Sequence, residues 1–106
     1  MPYVGASLAD GQLPDTVGTL FTATVSTIIR SFDVYNDGAL RQDVVVYILR
    51  DGSTTRKVGR ADLRQDEFAE VLSDGKVWVL SANDAIQAEA DNANQVDFVI
   101  TGAEIT

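Results

Sequence analysis

The side chains of this chain best supplied for chemistry are its carboxylates. Sixteen Asp and Glu stand against eight Lys and Arg among 106 residues, with no His and no Cys. Without His there is no Ser-His-Asp machinery, no His-ligated zinc and no imidazole proton shuttle. Without Cys there is no thiol nucleophile, no thiolate metal site and no disulfide framework. Two carboxylate chemistries are left. Paired carboxyl groups in a cleft could hydrolyse a glycoside, and clustered oxygens could hold Ca²⁺. The first is disfavoured, because Asp37, Asp51, Asp74, Asp84 and Asp91 sit in turns or on polar strand sides, where bonding to nearby backbone explains them. For the second, Asp33, Tyr35, Asp37 and Gly38 resemble the opening of an EF-hand loop. That reading fails: Tyr35 stands where Asp or Asn belongs, Val44 stands where the bidentate Glu belongs, and a strand pattern precedes the loop. An irregular Ca²⁺ site from Asp84, Asp91 and Asn92 is the metal option left, and no cofactor is expected.

Other motifs are few. Neither the P-loop pattern nor the GxGxxG pattern occurs. Basic side chains gather at Arg56, Lys57, Arg60 and Arg64. Such a group either docks an acidic surface or guards an edge strand with charge. The aromatic residues Tyr3, Phe21, Phe32, Tyr35, Tyr47, Phe68, Trp78 and Phe98 are spread one per segment. That is how a core is seeded, not how a base-stacking platform or sugar cleft is built. Trp78, between Val77 and Val79, reads as a core or interface residue.

The elements that must position these residues are strands, since the dominant signal is period two. Ile28, Arg30, Phe32 and Val34 fall on one side of an extended segment, and Ile29, Ser31, Asp33 and Tyr35 on the other. Asn36-Asp37-Gly38 then marks a turn. Val44 to Leu49 is a run of six apolar residues, suited to a central strand covered on both faces. Asp51-Gly52 signals a hairpin with Thr54 to Val58 as the returning strand. Further strands are expected at Thr19–Ser26, at Lys76–Ser81 after the Asp74-Gly75 turn, at Asp84–Ala90 and at Gln95–Thr101. Arg60–Leu72 has helix formers, with Leu63, Phe68, Val71 and Leu72 near one stripe. Its β surroundings favour a crossover followed by a strand around Phe68–Leu72.

Residues 1–17, with Pro2, Gly5, Gly11 and Pro14, read as an extended arm, disordered or lying across a neighbouring subunit. The expected fold is therefore all-β: a small β-sandwich or jelly-roll-like domain over residues 18–106, with an extended N-terminal arm over residues 1–17. The net charge of −8 repels phosphate backbones and anionic lipid, so neither nucleic acid nor membrane is an expected partner. No apolar run approaches the roughly 20 residues of a membrane span, and Met1–Asp10 lacks the basic and apolar regions of a signal peptide.

Three stretches together carry a resemblance. The first is Leu8-Ala9-Asp10-Gly11-Gln12-Leu13-Pro14 with Gly18-Thr19-Leu20-Phe21-Thr22-Ala23. The second is Val44–Leu49 followed by Asp51-Gly52 and Thr54–Val58. The third is Asn83–Ala88 with Val96–Gly102. In this order they resemble small virion structural proteins of tailed bacteriophages, encoded among head and neck genes. The likeness runs from Leu8 to Glu104 and is weakest over Ala61–Leu72. It implies an all-β sandwich, made in the host cytoplasm, that joins the virion as a capsid cement or decoration subunit. The expected partners are the major capsid protein or another virion protein and further copies of the chain, a trimer named first among homo-oligomers. It carries over no catalytic residue, so no enzyme is expected. The alternative is a carbohydrate- or receptor-binding module of a tail fibre, or of a neck- or tail-associated protein. The residues expected at the interface are Leu8, Leu13 and Pro14 of the arm, with Arg56, Lys57, Arg60 and Trp78.

Overall fold

The computed structural model describes residues 3–51, 53–72 and 75–105. Among them are nine strands: β1 Tyr3–Gln12, β2 Gly18–Thr22, β3 Thr27–Asn36, β4 Gln42–Arg50, β5 Thr54–Leu63, β6 Phe68–Glu70, β7 Trp78–Leu80, β8 Ala85–Glu89 and β9 Val96–Ile105. The pairs are nested about the β4–β5 hairpin. β3 meets β6 and β7, β2 meets β8, and β1 meets β9, all antiparallel. Lateral pairing of β9 with β3 and of β8 with β4 completes two sheets. The first runs β1-β9-β3-β6, with β7 beside β6 along β3, and the second runs β2-β8-β4-β5. The chain is an all-β domain of two antiparallel sheets packed face to face.

The core lies between them. Ile29, Phe32, Val34, Phe98 and Ile100 point inward from the first sheet, and Val44, Val46, Ile48, Ile86 and Ala88 from the second. Each fully buried large side chain contributes about 1.5–3 kcal/mol. Phe32 organises the aromatic part, stacked with Phe98 and edge-on to Trp78, both with ring centroids 6.1 Å away.

The hairpin at Asp51 forms as expected, with Asp51 in the left-handed region (φ 48°) and Ser53 N–H donating to the Arg50 carbonyl at 3.0 Å. Gly52 and Asp74, the other turn residues named above, lie outside the described residues. β4 is interior to its sheet, but only one of its faces is fully buried. Val45, Tyr47 and Leu49 on the outer face are half-buried. The returning strand β5 is longer than expected and reaches Leu63, because Ala61 and Leu63 turn inward to the core. The Arg60–Leu72 segment contains no helix. After a turn at Arg64–Glu67 it gives the short β6, so the crossover-plus-strand pattern holds in abbreviated form.

Two expectations are corrected. Tyr3–Gln12 is not a detached arm but strand β1, paired with β9 from Tyr3↔Ile105 to Gln12↔Asp97. A bulge at Leu8 shifts the register between Ser7 and Ala9, which breaks the period-two signal there. Leu13, expected at an interface, is fully buried; its N–H donates to the Val96 carbonyl at 2.8 Å. The second correction is in β3. A bulge at Arg30 puts Ile29 inside with Phe32 and Val34, and leaves Ile28 half-buried and Arg30 exposed.

That bulge also makes Gly102 obligatory. Gly102 pairs with Ile29, and a Cβ there would collide with the Ile28 carbonyl oxygen while lying 3.1 Å from Ile29 Cα. Both obstacles are backbone, so no side chain can swing aside. Gly102→Ala is expected to destabilise by about 2–3 kcal/mol. Chemical denaturation should show the midpoint falling with the slope unchanged.

Candidate functional site

On the outer face of the first sheet, toward the end that holds the 36–42, 64–67 and 91–95 connections, the surface sinks into an open depression of about 290 Å³. Three strands position its residues. β3 presents Asp33 and Tyr35, β9 presents Asp97 and Val99, and β6 presents Phe68. The register aligns them in two rows: Asp97–Tyr35–Phe68 and Val99–Asp33–Glu70. Each row mixes an apolar or aromatic group with carboxylate. Phe68, on the edge strand β6, is 59% exposed, and Val99, on the interior strand β9, is 42% exposed, so the two leave an apolar patch open to solvent.

The electrostatics are one-sided, since among the described residues no cation lines the depression. The Tyr35 hydroxyl donates to Asp66 Oδ1 at 2.9 Å. That hydrogen bond, then burial, then the charges of Asp66, Asp37 and Asp97, raise its pKa and keep it protonated. Gln12 Nε2 donates to Asp97 Oδ1 at 3.1 Å and steadies that carboxylate from β1. Asp33 has no such support. Its Oδ1 is buried with no hydrogen-bond partner among the described residues, and burial raises its pKa.

A carboxyl group whose pKa is raised on folding binds its proton more tightly in the native state. It therefore opposes folding once ionised, and stops doing so as pH falls below its unfolded value. Asp33→Val supplies a good strand former and removes the orphaned oxygen. It should raise stability near pH 7 by about 0.5–1 kcal/mol, with a smaller gain near pH 3. Thermal unfolding of both proteins at the two pH values checks this.

The basic group lies elsewhere. β5 is the outermost strand of the second sheet, and its first four residues, Thr54 to Lys57, are all exposed. Arg60 is engaged with the Asp43 carboxylate through two hydrogen bonds of 2.9 and 2.7 Å, and Arg41 likewise grips Asp62. Arg56 and Lys57 have no ion-pair partner among the described residues. This accords with charge guarding an edge strand, and it leaves two cations free to meet something else.

The residues expected at an interface are not brought together. Leu8 is half-buried against the core at the β1 bulge, and Leu13 is inside. Half-buried Pro14 accepts the Ala90 N–H at 2.9 Å. Arg56, Lys57 and Arg60 lie on the opposite lateral edge from these three, and Trp78 on β7 packs inward on Phe32. Asp84 and the Asp91-Asn92 pair flank opposite ends of β8, roughly 20 Å apart along an extended strand. Each is already bonded to protein, Asp84 to Arg50 and the Ser81 and Asp51 amides, Asp91 to the Asp43 amide, and Asn92 to Gln42. They do not form one Ca²⁺ site. Of the depression's residues, the alternation already puts Asp33 and Tyr35 on one strand side. What the alternation does not tell is that β9 and β6 flank β3 and add Asp97, Val99 and Phe68. Comparison with family models and with curated proteins finds no match.

Proposed function

We propose that this chain is a structural subunit of a tailed-bacteriophage virion, a capsid cement or decoration protein that binds across neighbouring capsid subunits as a homo-oligomer. The observation that carries this reading is the strand order. One long hairpin, β1·β9 to β4·β5, is rolled so that its pairs alternate between two sheets. This order supports a jelly-roll reading, an architecture that recurs in viral capsid and lectin domains. A fold does not assign a role by itself. The resemblance of the Leu8–Glu104 sequence to phage head and neck proteins narrows it to the particle. Attachment in this reading is area burial between shape-matched surfaces, with no bond made or broken.

Co-sedimentation with expanded shells of the capsid protein encoded beside it is the test. Saturable binding at a copy number tied to capsid symmetry is expected. No binding at micromolar concentration would move the role to neck, tail or fibre.

One observation favours a second reading, a carbohydrate- or receptor-binding module of a tail fibre. Tyr35 and Phe68 expose ring surface beside the Asp33 and Asp97 carboxylates, and aromatic faces with neighbouring acceptors can hold a sugar. Perturbation of the Tyr35 and Phe68 NMR signals by neutral sugars would support it.

A further inference from the structure

The depression and the β5 tip are each unexplained alone and complementary together. One is a largely apolar recess that holds two aromatic rings and two carboxylates; the other is an exposed strand end with two uncommitted cations. They cannot meet within one molecule. Asn36, next to Tyr35, bonds the Leu63 carbonyl at 3.1 Å, so Leu63 marks the level of the depression along β5. Lys57 is six residues back from Leu63, about 20 Å along an extended strand and on the other sheet.

We propose that the chain associates head to tail, Arg56 or Lys57 of one copy entering the depression of the next. A guanidinium or ammonium group fits what the recess offers. It meets the Phe68 and Tyr35 rings, which attract cations over their faces, and the Asp33 and Asp97 carboxylates. The incoming positive charge also offsets the Asp33 carboxylate, whose Oδ1 is buried without a hydrogen-bond partner among the described residues. Phe68 and Val99 lose their exposure at the same time. A sugar would satisfy the rings but leave the surplus negative charge unmatched. The contact uses two different patches, so it is heterologous and gives a closed ring or an open filament according to the rotation between copies.

Two double variants, each broken on one side, test the contact. Asp97→Lys/Phe68→Ala spoils the depression, and Arg56→Ser/Lys57→Ser spoils the tip. The changed groups are on the surface, and circular dichroism verifies the folds. Sedimentation velocity of the isolated wild type should show mass above the monomer by about 1 mM. Each variant alone should be monomeric, and an equal mixture should form dimers and stop there, because one intact tip meets one intact depression. A wild type monomeric at that concentration overturns the proposal. So does either variant that still self-associates, or a mixture that stays monomeric. Sugar-induced shifts at Tyr35 and Phe68 without self-association would overturn it in favour of the receptor-binding reading. The measurement needs no shell. A monomeric protein that still binds shells removes this contact and leaves the virion role standing.

Discussion

A chain truncated to begin at Pro14 is expected to be unfolded. The deletion removes all of β1 and, with it, the pairing from Tyr3↔Ile105 to Gln12↔Asp97. β9 would become an edge strand, with Phe98 and Ile100 uncovered along their β1 side. Leu13 is also lost, a fully buried core residue whose N–H and carbonyl fasten the β1–β2 connection to Val96 and Asn94. Truncating a fully buried Leu to Ala alone costs about 3–5 kcal/mol. A domain has roughly 5–15 kcal/mol in all. Losing the strand as well exceeds the lower part of that range. Leu13→Ala in the full chain is the graded companion: it should lower stability by about 3 kcal/mol and stay folded. Far-ultraviolet circular dichroism and urea melts of the two proteins distinguish the cases. A truncated chain that melts cooperatively at the wild-type midpoint would show β1 to be a dispensable arm after all. The expected unfolding also means that loss of shell binding on truncation would report loss of the fold, not of an attachment arm.

How far the sequence reaches can be judged from particular residues. β8 and β9 are legible because Ile86, Ala88 and Ala90, and Val96, Phe98 and Ile100, alternate without interruption and all are buried. β4 is legible because β-branched residues crowd it. β1 and β3 are misread for one physical reason. A bulge inserts a residue and flips the faces that follow, so strict alternation predicts the wrong side for Ile28 and Ile29 and hides the strand around Leu8. Bulges at Leu20 in β2 and Val58 in β5 do the same on the second sheet. Leu8, Leu20 and Val58, the extra residues at three of these bulges, are apolar and pack against the core, so the irregularities serve packing rather than interrupt it.

The candidate site is less legible than the fold. Its lining residues are separated by up to 66 positions, from Asp33 to Val99, and are joined only by cross-strand register. Single-strand periodicity contains no information on which strands are neighbours. The basic tip, by contrast, is a local run, and Arg56 and Lys57 are visible as a group without any knowledge of the sheet.

Asp84→Ala is expected to be the most damaging single side-chain change outside the apolar core, at about 3 kcal/mol. The Asp84 side chain is 5% exposed and accepts three hydrogen bonds: from Ser81 N–H at 2.9 Å, Asp51 N–H at 2.9 Å and Arg50 Nη1 at 2.8 Å. Arg50 Nη1 also donates to the Val79 carbonyl at 2.9 Å. One carboxylate thus ties the β4–β5 hairpin to the 81–84 turn and to β7. Alanine strands both amides; Arg50 is 45% exposed and can turn to water, which keeps the loss below that of a fully buried pair. Asp84→Asn keeps one acceptor and should lose about 1–2 kcal/mol. Burial alone would raise the Asp84 pKa, but the Ser81 amide, the Arg50 guanidinium and the Asp51 amide outweigh it and hold the group below the usual carboxylate range. A depressed carboxyl pKa contributes stability in full above the unfolded value, about 3.9, and loses it as pH falls through the folded value. The gap between wild type and Asp84→Ala should therefore be widest near pH 7 and narrow as pH drops below about 4. Urea melts across that range measure it. Equal midpoints near pH 7 would mean that water replaces the carboxylate at both amides, and that the 81–84 turn is held by its backbone bonds, to Ala23 and from Asp84 N–H to the Ser81 carbonyl.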